Sequence, residues 1–306
     1  MGCHVSSRCP DIETRVHAAR ALLRCCEACE HRCGVDRENG EAGECRLTAD
    51  SFIFRSYVSV TEEIEVIPAL RVYLAGCNFR CGFCDTAPEC FIPNRGRRCD
   101  PIELANEWAD EIERGVRTIS ILGGEPTLSP HTLLEAAAAA PRRLPLVINT
   151  NLYMTPEVID LLDGVVTTYL ADLKFGNDEC AERIAGVRPY VDIATRNLNR
   201  IAARTPVIVR HLLLPGHLDC CFHPIVDWLD THQPGVRFQL YPGFVPCYRA
   251  GNVNLGRLNR AEEIAAAENR LRASRLLWET HGNGTAGMRI ELTVSGTGLR
   301  GHHTGR

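Results

Sequence analysis

The chain has 306 residues, 45% hydrophobic and 24% charged, which is the balance of a globular protein with room for one main domain and an appendage. A formal net charge of −4 offers no basic field for nucleic acid, and no apolar run reaches the roughly 20 residues that a membrane span needs. The N-terminus MGCHVSSRCP lacks the apolar core of an export signal, so the sixteen cysteines are expected in a reducing cytoplasm, in metal or redox use rather than in disulfides.

In chain order, residues 1–67 are expected to form a small cysteine-rich extension. Gly2, Cys3 and Ser6 match an acylation pattern, but no polybasic patch follows to complete an anchor, so a frayed start is the expectation. A helix is predicted over Ile12–Cys25 with Asp11 as its N-cap, and residues 51–67 alternate with period two as one or two strands. Residues 68–296 then alternate short apolar runs with helical patterns. Strands are predicted at Arg71–Ala75, Thr118–Leu122, Leu146–Thr150, Val166–Leu170, Val207–Leu213 and Val236–Tyr241. Helices are predicted at Pro101–Arg114, Pro130–Ala140, Pro156–Leu162, Val191–Ala203 and Cys221–Thr231. Six βα units give an α/β fold, an incomplete (β/α)6 TIM-like barrel. A long helix at Asn259–Glu279 and a strand at Met288–Val294 are expected to close it, with residues 297–306, including His302 and His303, as a disordered tail.

Ligands of parallel α/β folds sit where strands end, and the chemical motifs fall there. Directly after the first barrel strand lies Cys77-x3-Cys81-x2-Cys84. Three thiolates on one short loop suit an iron–sulfur cluster that leaves one iron open, whereas zinc would need a fourth ligand such as Cys90. Spacing favours iron–sulfur and leaves zinc open. The extension carries a second set, Cys26-x2-Cys29-x3-Cys33-x11-Cys45, which could hold zinc or an auxiliary cluster. His31, among these cysteines, reads as a helix-surface histidine. Cys90, Cys99, Cys180, Cys220, Cys221 and Cys247 show no ligand spacing and read as small buried hydrophobes or bystanders. Of 34 Lys+Arg residues only Lys174 is lysine, which suggests a place for a compact ammonium.

Cys77-x3-Cys81-x-Phe83-Cys84 resembles the signature of the radical S-adenosylmethionine superfamily. Gly123-Gly124-Glu125-Pro126, at the second strand's end, resembles the motif that in this family binds the methionine amino group. From Leu70 to Arg249 the chain resembles pyruvate formate-lyase activating enzymes, and more closely their uncharacterised homologues with an N-terminal cysteine cluster. Asn149-Thr150-Asn151 resembles a DTNG motif, with Asn149 in place of aspartate and Leu152 in place of glycine. Asp172-Leu173-Lys174 matches the DLK motif and places the sole lysine at the implied cofactor pocket, as a candidate catalytic residue. Arg210-His211 opens a segment that the resemblance puts beside adenosine, and Tyr241-Pro242 ends the sixth strand nearby.

The resemblance implies a [4Fe-4S] cluster that passes one electron to S-adenosylmethionine, giving methionine and a 5′-deoxyadenosyl radical that abstracts hydrogen from substrate. It also implies a one-electron donor such as flavodoxin or ferredoxin. The expected substrate is a glycyl-radical enzyme awaiting activation. Direct action on a small metabolite is the alternative, and a non-catalytic metal-binding protein ranks last.

Overall fold

The computed structural model describes residues 11–281. The expectations at Gly2, Cys3, Ser6, Met288–Val294 and 297–306 lie outside these residues. Nine strands form one open sheet: β1 (Phe52–Ser59), β2 (Ala69–Leu74), β3 (Arg97–Arg98), β4 (Thr118–Gly123), β5 (Leu146–Thr150), β6 (Val166–Asp172), β7 (Val207–Leu212), β8 (Arg237–Tyr241) and β9 (Leu277–Thr280). The order is β3-β1-β2-β4-β5-β6-β7-β8-β9. From β2 to β9 every neighbouring pair is parallel, while β1 pairs antiparallel with both β2 and β3.

The central strands are apolar because helices cover one sheet face and the other turns into the curled interior, so both faces leave water. Ile119, Ile121, Leu146, Ile148 and Val209 are all buried. The helices are α1 (Ile12–Arg24), α2 (Pro101–Glu113), α3 (Pro130–Ala139), α4 (Pro156–Leu162), α5 (Asp178–Ala185), α6 (Val191–Ala202), α7 (His223–His232) and α8 (Ala261–Arg272). Several start on readable signals. Asp100 accepts from Ile102 N and Glu103 N ahead of Pro101, satisfying amides that have no partner in a first turn. At α1 the expectation differs: Asp11 precedes the helix, but its side chain makes no capping bond.

The second half departs from the sequence reading in three places. Residues 218–222 form a single π-turn before α7. The short helix α5 is additional. The predicted long helix ends at Arg272, and Leu277–Thr280 instead forms β9, drawn out of the helix by its parallel pairing with β8.

The cysteine-rich extension packs against the barrel. α1 lies on α3 and α4, and Arg15 Nη1 donates to the carbonyls of Leu161 (2.9 Å) and Asp163 (2.6 Å). Arg37, fully buried, donates to Thr48 O and, at 2.9 Å, to Leu128 O. His31 sits in a turn rather than on a helix, and its Nε2 donates to Asn78 O at 2.8 Å, so the extension backs the loop that follows β2.

Candidate active site

The C-terminal ends of the parallel strands open onto a cavity of about 550 Å³. Cys77, Cys81 and Cys84 line it, together with Gly123, Gly124, Glu125, Asn149, Thr150, Asn151, Asp172, Lys174, Arg210 and Tyr241. Each comes from a loop or strand end that follows β2, β4, β5, β6, β7 or β8, so sheet order brings together residues far apart in sequence.

The two glycines of Gly123-Gly124 are required by the chain itself. Gly123 has φ +114°, and a Cβ on it or on Gly124 would overlap the backbone of Leu74 or Gly76. With no side chain there, Gly124 N donates to Leu74 O (2.7 Å) and Glu125 N to Gly76 O (2.9 Å), docking this turn against the segment that leads to Cys77. Glu125 is buried. Its Oε1 accepts from Thr127 Oγ1 (2.7 Å) and Thr150 Oγ1 (2.9 Å), and its Oε2 from Asn151 N (2.7 Å). Burial raises its pKa and these hydrogen bonds partly offset the rise. One carboxylate thus ties the end of β4 to the end of β5, and Oε2, with one hydrogen bond made, keeps a free lone pair in a residue that lines the cavity.

Asn151 Nδ2 donates to Asn78 Oδ1 at 2.7 Å, while the buried Asn149 Oδ1 has no partner. A buried acceptor without a donor in a cavity wall costs stability, and a ligand donor would relieve it. Leu152, where the resembling motif has glycine, adopts φ +66° and is fully buried.

Lys174 Nζ pairs with Asp172 Oδ2 at 2.8 Å, and Lys174 N donates to Tyr190 Oη at 2.9 Å. Burial works against the ammonium, but Asp172 and Cys81 outweigh it, so Lys174 stays charged and its pKa rises above the ordinary value. Burial pushes the Cys81 thiol up to about 12, with Lys174 opposing. Cys77 is also pushed well up, first by burial and then by Cys81. Thiolates buried this way need a compensating cation, which is what iron supplies, so the donor set fits a cluster. The three sulfurs do not all lie within 4.8 Å of one another, a spread that suits a cluster better than a single ion.

Several expected residues are placed differently. His211 lies outside the cavity wall. Strand alternation turns Arg210 and Leu212 inward and His211 outward, where its Nδ1 donates to Leu173 O at 2.8 Å. Pro126 starts a 3-10 turn and does not line the cavity. Arg210 reaches the wall, but its guanidinium is committed to Glu62 (2.6 Å) and to Glu63, which also accepts from Tyr241 Oη at 3.0 Å. The cysteines Cys26, Cys29, Cys33 and Cys45 are neighbours: burial raises Cys29 to about 12 and the other three add to the rise. No three of their sulfurs lie mutually within 4.8 Å, which disfavours a single zinc ion there.

Five of the cysteines expected to be bystanders lie against other thiols or the cavity. Cys90 Sγ lies 3.6 Å from Cys84 Sγ, and Cys247 lines the cavity. Cys180, Cys220 and Cys221 converge with His217 on another part of the molecule. Within the sequence, the only hint of that convergence is His217-x2-Cys220-Cys221.

The profile of the "Radical SAM superfamily" matches residues 72–229, which is more than half of the chain. The chain belongs to the radical S-adenosylmethionine superfamily. Its members use a [4Fe-4S] cluster to cleave S-adenosylmethionine reductively, and this protein is an enzyme of that radical oxidoreductase type. An uncharacterised protein of Methanocaldococcus jannaschii is 36% identical over 243 residues, 76% of this chain and 71% of the relative. The 7-carboxy-7-deazaguanine synthase of Methanothermobacter thermautotrophicus is 39% identical over 88 residues, 29% of this chain and 35% of that protein. The GTP 3′,8-cyclase of Haemophilus influenzae is 26% identical over 170 residues, 53% and 49% of the two chains. Among solved structures, Streptococcus suis SuiB matches at 18% identity and TM-score 0.47, covering 69% of this chain and 48% of SuiB. A domain of a pyruvate-formate lyase-activating enzyme from Bacteroides vulgatus matches at 19% and 0.44, covering 54% of this chain and 99% of that domain. Among the described residues, no helix is long and apolar enough to cross a membrane.

Proposed function

We propose that Cys77, Cys81 and Cys84 carry the cluster of this radical S-adenosylmethionine enzyme, and that its hydrogen abstraction serves glycyl-radical activation. The supporting observation is the shared cavity, where three thiols face polar groups from successive strand ends. Bound there, cluster and S-adenosylmethionine supply one-electron cleavage to methionine and a hydrogen-abstracting deoxyadenosyl radical. The electron comes from a donor of the flavodoxin or ferredoxin kind.

The chain's own residues bind and orient. The free lone pair of Glu125 Oε2 accepts from the methionine ammonium, and the charged Lys174 meets a carboxylate of cofactor or substrate. Asn149 Oδ1 gains the donor it lacks. Arg210, held by Glu62 and Glu63, stiffens the adenosine side of the wall. Val60 and Val245, both exposed at the cavity, give the mouth an apolar rim suited to a peptide segment.

A second reading is direct action on a small metabolite. It is favoured by the partial likeness to two enzymes named for small-molecule synthesis, 7-carboxy-7-deazaguanine synthase and GTP 3′,8-cyclase.

Anaerobic reconstitution tests the assignment. The Cys77→Ala/Cys81→Ala/Cys84→Ala chain should lose about four iron atoms relative to the parent, together with all 5′-deoxyadenosine release. Unchanged cleavage would sink the ligand assignment. With an α-deuterated glycyl-radical enzyme, deuterium should appear in 5′-deoxyadenosine and a glycyl signal in electron paramagnetic resonance. Transfer from a small metabolite alone would establish the second reading instead.

A further inference from the structure

Four potential ligands converge where the segments after β6 and β7 meet. Cys180 Sγ lies 3.8 Å from Cys220 Sγ, and Cys220 Sγ lies 4.0 Å from Cys221 Sγ. His217 Nδ1 lies 3.2 Å from Cys220 Sγ, 3.5 Å from Cys180 Sγ and 3.7 Å from Cys221 Sγ. All four ligand atoms fall within 4.8 Å of one another, and among the described residues no other group of this kind does so.

These separations discriminate between occupants. Zinc with Zn–S of about 2.3 Å and Zn–N of about 2.0 Å at tetrahedral angles spaces its sulfurs about 3.8 Å apart and sulfur from nitrogen about 3.5 Å apart. The observed edges match. A four-iron cluster puts each thiolate on a different iron and needs a wider set of sulfurs. The sulfurs of Cys77, Cys81 and Cys84 do not all fall within 4.8 Å of one another.

The backbone is shaped to make this convergence. Asn177 caps α5 by accepting from Cys180 N at 2.8 Å, while its Nδ2 donates to Cys220 O and lies 3.4 Å from Cys180 Sγ. A Cβ at Gly176 would overlap the backbone of Cys221. The π-turn at Leu218–Phe222 adds the extra residue that swings Cys220 and Cys221 to the side of His217. Arg183 Nη2 lies 3.9 Å from Cys180 Sγ and 3.5 Å from His217 Nε2, so its charge offsets the net −1 of three thiolates and one Zn²⁺. With Nδ1 on the metal the ring proton sits on Nε2, and Arg183 acts there by charge alone.

We propose that Cys180, His217, Cys220 and Cys221 bind one zinc ion, which staples the segment after β6 to the segment after β7. Three thiols lose their protons to solvent on binding, and nothing is oxidised or reduced. The staple bears on the cavity, because α5, which carries Cys180, accepts from Arg80 N (2.8 Å, at Ala185 O) and from Gly82 N (2.9 Å, at Ile184 O) in the loop of Cys77, Cys81 and Cys84.

Zinc and iron per chain, measured by mass spectrometry on anaerobically purified protein, test this against the cysteines of the extension. The Cys180→Ala/Cys220→Ala chain should lose one zinc and keep the iron of the cavity. The Cys26→Ala/Cys29→Ala/Cys33→Ala/Cys45→Ala chain should keep that zinc, with X-ray absorption showing three sulfurs and one nitrogen. His217→Cys should keep it with four sulfurs, a readout that remains if the double variant does not fold. Unchanged zinc in the first chain, no zinc in the second, or an oxygen-rich shell would each overturn the proposal.

Discussion

At the scale of single residues, Lys174 is a place where charge, size and position all matter. Its ammonium sits between Asp172 and Cys81 at the cavity wall, with Nζ 2.8 Å from Asp172 Oδ2. Lys174→Met removes the one compact cation there and leaves Asp172 unpaired. We expect iron content to be retained and 5′-deoxyadenosine formation to fall on the order of 10²-fold, as for other losses of a positioning contact. Lys174→Arg should recover little of it, since a planar fork does not replace a point charge at a tight site. A Lys174→Met chain that cleaves at the parental rate would remove the lysine from the site. Leu152 poses the opposite question, of strain against burial. Its φ of +66° costs about 1–2 kcal/mol in an L-residue, which glycine would recover. Its side chain is fully buried, and deleting a buried leucine costs about 3–5 kcal/mol. Burial wins, so Leu152→Gly should destabilise by about 2–3 kcal/mol in urea unfolding even though it restores the residue of the resembling motif. A more stable variant would show that strain dominates there.

At the scale of elements, legibility in the sequence follows how local each signal is. The strand at Leu146–Thr150 and the helix at Pro156–Leu162 are read residue for residue, since one carries a doubly buried apolar run and the other opens on proline. Cys77, Cys81 and Cys84 are legible because one loop holds all three. Helix α5 is missed because eight residues, half of them polar, are too short to show a repeating apolar stripe, although Asn177 and Gly186 bracket it. Cys180 and His217 come together only once β6 and β7 are known to be neighbours, and no spacing rule reports that. Helix α8 ends early for a tertiary reason, the pairing of β9 with β8. Its start is fixed by Glu263, which accepts from Arg257 Nη1 (2.6 Å), Gly216 N (2.7 Å) and Arg260 N (2.8 Å). The Arg257 hydrogen bonds lead in holding its pKa down to about 2, against partial burial. A carboxylate with a lowered folded pKa stabilises above its unfolded value near 4.5, and that stability is lost as pH falls toward about 2. Glu263→Gln should therefore cost about 1–2 kcal/mol at neutral pH and much less near pH 2, measured by urea unfolding at both. Equal loss at both would assign the effect to packing.

At the scale of the molecule, the extension and the barrel are joined by a seam whose polar groups are buried, and one of them titrates. His131, on α3, donates from Nε2 to Ala49 O at 2.8 Å, and its Nδ1 is buried without a partner. Burial holds its pKa down to about 3, and Arg37 and Arg20 push the same way, while the Ala49 bond and Asp50 oppose them. A neutral ring can occupy this seam and a protonated one cannot. For a base whose folded pKa is lowered, the unfolded chain takes up the proton first, so stability is complete above about 6.5 and declines as pH falls toward about 3. Between pH 7 and 4.5 the group should cost on the order of 2 kcal/mol, a slope that adds to whatever the carboxylates contribute. His131→Gln keeps a donor for Ala49 O and removes the titration, so it should be less stable than the parent at pH 7 yet show a shallower fall to pH 4.5. Because Arg37 in the same seam also holds Leu128 O, loosening should show first as faster hydrogen exchange in residues 37–49 and the start of α3, ahead of the sheet. If both chains lose stability with the same slope, or the sheet exchanges first, the seam is not where acid acts on this fold.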